Sequence, residues 1–100
     1  PDLVERAPRG GSAYLADLYY DTALSANPHA LRSLTELVGA DHIAFGSDFP
    51  FAPELATEMQ VAGLTAYDGF TPDQLAQVEH GTARTLFPAL ATRLEPRTTP

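Results

Sequence analysis

The stretch 41–51 constrains the fold of this chain more than any other. Its apolar run 43–45 shows no polar alternation, which is typical of a parallel strand that is covered on both faces. Gly46 follows at once and allows the backbone to turn where a side chain would obstruct it. The sequence therefore predicts a buried strand over residues 43–46, with Asp48 just past its carboxyl end.

A second strand and a helix are predicted upstream of this one. The run 18–22 is rich in aromatic residues and predicts a strand. Asn27 as N-cap and Pro28 at the first helical position begin a helix. We expect this helix to continue to about Val38, where Gly39 supplies a left-handed stop. Strand, helix and strand in this order predict an α/β fold built on a βαβ unit, with parallel strands and a right-handed crossover.

Two carboxylates end the predicted strands, Asp21 and Asp48. Active sites of parallel α/β folds assemble at the carboxyl ends of the strands, so Asp48 is a candidate metal ligand or general base. The alternative is a turn or helix-cap aspartate, because Asp is common in turns. Asp21 is placed similarly, and we favour a structural role for it, as an acceptor for neighbouring backbone groups.

The remaining segments predict short helices and two irregular ends. Residues 1–12 show no apolar period and predict a loop or a frayed terminus, followed by a helical turn at 13–15. A capping box with Thr71 at the N-cap begins a clear helix, and an interruption at Gly81 precedes a last short helix. Two further expectations are a helix over 55–61 and a disordered tail over 95–100.

Composition excludes several classes of protein. A hydrophobic content of 44% in 100 residues fits a folded globular chain. The absence of cysteine excludes disulfides and thiolate zinc sites, which leaves His and carboxylates as metal ligands. A net charge of -7 argues against nucleic acids and anionic membranes as partners. No apolar run is long enough to span a bilayer and no signal peptide is evident, so the predicted compartment is the cytoplasm.

The three histidines do not form a metal site by spacing. His29, His42 and His80 lie away from the predicted strand ends, and no pair has the i, i+4 or His-x-His spacing that brings two imidazoles to one ion. We expect surface histidines. A metal held by Asp48 would need its other ligands from elsewhere.

An ordered set of motifs nevertheless points to one family. The set consists of Tyr19-Tyr20-Asp21-Thr22-Ala23, Pro28, Leu31, Leu34, Val38-Gly39-Ala40-Asp41, Ile43 and Gly46-Ser47-Asp48-Phe49-Pro50-Phe51. Together these residues resemble the C-terminal part of the amidohydrolase-related family, in particular the decarboxylases of the aminocarboxymuconate semialdehyde decarboxylase type. The run 80–87 is similar to the Gly-Asn-Ala-x-x-Leu-Phe helix that closes those proteins, with Thr82 in place of the usual Asn. The likeness covers about residues 14–88.

The resemblance implies a distorted (β/α)8 TIM barrel with a divalent metal, zinc or else manganese, at the carboxyl ends of its strands. Residues 18–22 would be strand seven, 28–38 helix seven and 43–46 strand eight. Asp48 would be a metal ligand and proton carrier. The family's histidines on strands one, five and six have no counterpart here, and a barrel needs about 250 residues. Residues 1–94 therefore look like the C-terminal segment of such an enzyme, with a metal site that is complete only with the missing histidine ligands.

The implied reaction of the full-length barrel is non-oxidative decarboxylation of an unsaturated or aromatic carboxylic acid. Phe49 and Phe51 are candidates for the wall of the substrate pocket, with Asp21 nearby, although either Phe could instead belong to the core. Metal-dependent hydrolysis of a lactone or a C-N bond is the second candidate, and a non-catalytic truncated remnant is the third. The expected partner is a small carboxylic acid, and a homodimer of the full-length enzyme is compatible with the resemblance. Activity is expected only from the full-length barrel.

Overall fold

A computed structural model describes residues 2–94 of the chain. Its sheet has two parallel strands, β1 (Tyr20–Asp21) and β2 (Ile43–Ala44), and Tyr20 pairs with Ile43. The predicted parallel pairing is confirmed, but both strands are shorter than the predicted 18–22 and 43–46. β2 ends early because the amide of Phe45 donates to the carbonyl of Val78 (2.9 Å) instead of to β1. The sheet therefore passes directly into contact with the C-terminal helices.

The helix between the strands, α3 (Pro28–Thr35), begins as predicted and ends differently. The side chain of Asn27 accepts a hydrogen bond from the amide of Ala30 (3.0 Å), which confirms the N-cap. The prediction that Gly39 ends the helix in a left-handed conformation is wrong, because the backbone of Gly39 is extended, with φ -82° and ψ 171°. The amides of residues 37 and 38 both donate to the carbonyl of Leu34, so a tightened last turn ends the helix without a left-handed residue. A 3₁₀ turn over Ala40–His42 then leads into β2.

The predicted loop over residues 1–12 is also wrong, because two short helices occupy most of it. These are α1 (Asp2–Arg6) and α2 (Gly11–Ala16). Arg9 pairs with Asp17 at 2.7 Å and lies over the ring of Tyr14, 4.2 Å from its centroid. α2 buries no residue, so its sequence needs no apolar period, which is why the pattern misses it. The predicted helical turn at 13–15 lies within α2.

The second half of the chain is helical, with α4 (Glu54–Ala66), α5 (Pro72–Ala76), α6 (Thr82–Leu86) and α7 (Pro88–Leu94). The capping box of Thr71 and Gln74 is confirmed, as is the helix expected over 55–61, which is longer than predicted. The predicted interruption at Gly81 is wrong, because a π-helical turn over Gln77–Gly81 joins α5 to α6. The chain thus accommodates Gly81 by widening the helix and not by ending it. The predicted tail, 95–100, lies outside the described residues.

One hydrophobic core joins α3, β2, α4 and the π-helical turn. Its buried members are Leu31, Val38, Ala40, Ile43, Leu64, Tyr67 and Val78. Ile43 of β2 is therefore buried together with residues of these helices. No helix within residues 2–94 is both long and apolar enough to cross a membrane.

Thr82 connects the last helices to the turn before β2, and it does so by hydrogen bonds. Its side chain is fully buried, donates to the carbonyl of Ala40 (2.9 Å) and accepts from Nε2 of Gln77 (3.1 Å). Thr82 therefore holds α6 and the π-helical turn against Ala40.

Thr82→Val should destabilise the fold by about 1–3 kcal/mol, because the nearly isosteric side chain leaves a buried carbonyl and an amide unpaired. Thr85→Val is the matched control, since the exposed Thr85 hydroxyl bonds only within its own helix, and it should change stability by less than about 0.5 kcal/mol. Urea unfolding of both variants makes the comparison. Equal midpoints for the two variants would contradict the role assigned to Thr82.

Candidate functional site

The loops that follow β1 and β2 meet at the carboxyl end of the sheet. A Cβ atom placed on Gly46 would lie 3.1 Å from Cβ of Asp21 and 3.2 Å from its Oδ1. Glycine is thus the residue that lets the Asp21 side chain approach the backbone of the second loop. The amide of Gly46 also donates to Oγ1 of the buried Thr22 (3.3 Å). The structure therefore places Asp21 beside the loop that carries Asp48.

Asp48 is exposed and has a left-handed backbone, with φ 61°. Among residues 2–94, only Leu24, with φ 58°, is another non-glycine residue of positive φ. Such conformations are disfavoured for L-residues and cluster at functional sites. The carbonyl of Asp48 accepts a hydrogen bond from the amide of Ala52 (2.8 Å), and α4 has Pro53 as its N-cap. Asp48 is therefore not a helix cap, and its carboxylate extends from a fixed turn toward solvent.

Gln60, on α4, links the two loops and was not among the residues predicted from the sequence. Its side-chain Oε1 accepts from the amide of Leu24 (2.6 Å), and its Nε2 donates to the carbonyl of Ser47 (3.1 Å). Gln60 is buried, with 6% of its surface exposed. The sequence holds no signal for it, because a glutamine within a helix is usually solvated.

Asp21 has the local contact expected of a structural residue. Its Oδ1 accepts a hydrogen bond from the amide of Ala23 (2.9 Å), which forms an Asx turn after β1. The side chain is exposed at the same time. Asp21 therefore shapes the first loop and has an exposed carboxylate beside Gly46.

The two phenylalanines after Asp48 are both on the surface. Phe49 is 65% exposed and Phe51 is 90% exposed, so neither belongs to the core formed by the described residues. The amide of Phe49 donates to Oγ of Ser47 (3.2 Å), which closes the turn around Asp48. Both rings are thus carried by the loop that holds the candidate carboxylate.

His42 is held by contacts with the chain before β1, and the other two histidines are on the surface. Nδ1 of His42 lies 2.9 Å from the carbonyl oxygen of Leu18, and its ring stacks on Tyr19 with centroids 4.3 Å apart. Because a carbonyl oxygen only accepts, this contact places a proton on Nδ1. His29 and His80 are exposed. His42 therefore supports the strand and is not free to act as a ligand through that nitrogen.

The described residues do not form a complete metal site. Within residues 2–94, no three His, Asp or Glu side chains lie close enough to hold one ion. The exposed carboxylate of Asp48, on a fixed turn at the carboxyl end of a parallel strand, has the chemistry and access of one such ligand. The described residues thus supply one donor and not a complete coordination sphere.

Comparison with known proteins gives one family and two named relatives. The sequence model of the family described as Amidohydrolase matches residues 1–89. A protein named 6-methylsalicylic acid decarboxylase from Penicillium expansum is 43% identical over 72 residues, and this match covers 72% of the chain and 22% of the relative. A protein of the same name from Aspergillus aculeatus is 40% identical over 79 residues, with the same shares covered. The chain thus spans about a fifth of the length of these relatives, and no solved structure matches it.

Proposed function

This chain belongs to the amidohydrolase family, and we propose that it forms the C-terminal strands and helices of a metal-dependent (β/α)8 barrel. β1 and β2 would be strands seven and eight of that barrel, and α3 the helix between them. Two observations support this placement. The strands are parallel and consecutive, with a helix between them and another helix after β2, which is the repeating unit of a barrel. The named relatives are also several times longer than the matched segment.

We propose further that the full-length protein is a non-oxidative decarboxylase of an aromatic carboxylic acid. The observation that carries this proposal is the exposed, left-handed Asp48 at the carboxyl end of β2, in a segment 40–43% identical to proteins named as decarboxylases. In a barrel this end of the strand faces the active site. An acid of the salicylate type is the substrate class that the relatives' names favour.

Asp48 would serve this reaction in two ways. As a ligand it would help to hold a divalent metal, which supplies polarisation of a substrate oxygen when bound. As a proton carrier it would deliver a proton to the ring carbon that bears the carboxylate. The bond from that carbon to the carboxylate then breaks, CO₂ leaves, and the electron pair of the bond restores the aromatic ring. Solvent would then return a proton to Asp48.

Phe49 and Phe51 would form an apolar wall against the substrate ring. Removing the ring in Phe51→Ala should leave the stability of this chain nearly unchanged, because the side chain is 90% exposed in it. It should raise KM for the aromatic acid by about 10-fold or more, since burying an aromatic side chain contributes roughly 1.5–3 kcal/mol. KM for the aromatic acid is measured by steady-state kinetics of the full-length variant. Phe87→Ala is the matched control, because Phe87 is also exposed but lies between α6 and α7; an equal effect of both variants on KM would contradict the pocket assignment.

Hydrolysis of a lactone or a C-N bond is the second candidate, and the family's description as Amidohydrolase favours it. Identification of the reaction products by NMR distinguishes the decarboxylase from the hydrolase. We expect the full-length protein, supplied with zinc or manganese, to convert an aromatic acid of the salicylate type to the decarboxylated arene and CO₂. Ring-opened or deamidated products from lactones and amides, with no change in the aromatic acid, would favour the hydrolase instead.

A further inference from the structure

We propose that Gln60 is a positioning residue for Asp48, through a clamp that holds both left-handed residues of the site. This inference rests on the proposed function, in which Asp48 meets the substrate. Gln60 itself lies on α4, and its side chain makes hydrogen bonds to backbone groups of both loops. It would act by fixing where the Asp48 carboxylate points.

Gln60 makes its two hydrogen bonds to the backbone next to the two left-handed residues, Leu24 and Asp48. Oε1 accepts from the amide of Leu24, which has φ 58°. Nε2 donates to the carbonyl of Ser47, and that carbonyl belongs to the peptide unit that leads into Asp48, with φ 61°. One amide group therefore bonds to a peptide unit at each of the two left-handed residues. For leucine such a conformation persists only where its surroundings enforce it, whereas aspartate adopts it more readily and depends less on its surroundings.

The side chains of the strained residues do not provide that enforcement. Leu24 is 64% exposed and Asp48 is also exposed, so neither is held by packing of its own side chain. Gln60, in contrast, is 6% exposed, so its hydrogen bonds are shielded from competing water. The clamp is thus a buried polar contact shared by both loops, in addition to the bond from the Gly46 amide to Thr22.

α4 gives the clamp a rigid base. Leu64, one turn after Gln60, is 2% exposed and belongs to the core. Gly63 lies against the carbonyl of Ala26, so that the helix approaches the first loop without an intervening side chain. The packing of α4 thus fixes the position of Gln60, and the hydrogen bonds of Gln60 in turn hold the two loops. A displacement of about 1 Å in a reacting group lowers the rate about 100-fold, so a fixed carboxylate matters for turnover.

Gln60→Met tests the clamp, because methionine keeps the length and approximate volume of the side chain but makes neither hydrogen bond. In the full-length protein, we expect kcat for the aromatic acid to fall about 10- to 100-fold, with KM changed by less than about threefold. The Leu24 amide should also exchange its hydrogen at least about 10-fold faster, because its acceptor is lost. Gln77→Met is the matched control, since Gln77 also donates from Nε2, but to Thr82; it should leave kcat and Leu24 exchange as in the parent.

Gln60→Glu separates the two halves of the clamp and serves if Gln60→Met does not fold. Glutamate keeps an acceptor for the Leu24 amide but presents a second oxygen to the carbonyl of Ser47. We expect Leu24 exchange to remain slow and kcat to fall nearly as far as in Gln60→Met. Parent-like kcat in this variant would overturn the proposal.

Two results with Gln60→Met would also overturn it. Unchanged Leu24 exchange would show that the clamp does not form, and parent-like kcat with fast exchange would show that it does not position Asp48. If the full-length parent has no decarboxylase activity, the proposed function is refuted. Hydrogen exchange of the Leu24 amide in the Gln60 and Gln77 variants then still tests whether Gln60 bonds to that amide.

Discussion

Asp48→Asn in the full-length protein is expected to lower the rate of decarboxylation by about 10²- to 10⁴-fold, the range typical for loss of a general acid-base group. The substitution is nearly isosteric. Asn adopts left-handed backbone about as readily as Asp, so the turn at φ 61° should be retained. What is lost is the negative charge that attracts a metal ion and the group that exchanges a proton. The measurement is turnover of the aromatic acid at saturating metal, with circular dichroism to confirm folding.

Asp41→Asn is the matched control for this experiment, since Asp41 is also exposed and lies just before β2 instead of after it. It should retain the parent rate within about threefold, which corresponds to less than about 1 kcal/mol of barrier. If Asp48 were only a turn residue, its Asn variant would behave in the same way. Equal rates for the two variants would therefore refute the catalytic assignment of Asp48.

Gly63→Ala is expected to destabilise the fold by about 1–3 kcal/mol or more. The new Cβ would collide with the carbonyl oxygen of Ala26, and a backbone oxygen cannot move aside as a flexible side chain can. In an open helix the same change stabilises by about 1 kcal/mol. For Gly63, the structure thus predicts that alanine lowers the free energy of unfolding instead of raising it. Urea unfolding of the chain, analysed at constant m-value, gives the change in free energy.

Gly11→Ala provides the comparison for Gly63→Ala. Gly11 begins α2, and a Cβ there would meet nothing within 4 Å. We expect this variant to be neutral or slightly stabilised. Stabilisation by both alanines would mean that α4 does not pack against Ala26 as described, and the base assigned to the Gln60 clamp would then be lost.

Local chemistry made much of this fold predictable. Asn27 and Thr71 are caps whose partners lie only three residues away, so the sequence alone specifies both helix starts. The apolar run 43–45 and the aromatic run 18–22 likewise predicted the two strands that pair. Asp48 was predicted because a carboxylate at the end of a buried strand is a recognisable position.

Features that depend on distant contacts were not predictable. The chain leaves α3 through a tightened turn at Leu34 and not through Gly39, and it passes Gly81 in a π-helical turn. Both depend on how neighbouring segments pack, which local propensity does not report. The contacts of Gln60 lie 36 residues away at Leu24 and 13 away at Ser47, so no spacing rule connects them. The left-handed conformation of Asp48 is likewise visible only in the folded chain.

The most direct test of the proposed function follows the carboxyl group itself. The full-length protein, with its metal, is incubated in D₂O with an aromatic acid of the salicylate type that carries ¹³C in the carboxyl group. We predict release of ¹³CO₂ and the appearance of one deuterium, detected by NMR, on the ring carbon that the carboxyl group vacates. Recovery of the labelled acid unchanged, or its consumption with the ¹³C still bound to the ring, would contradict the assignment of this chain to a decarboxylase.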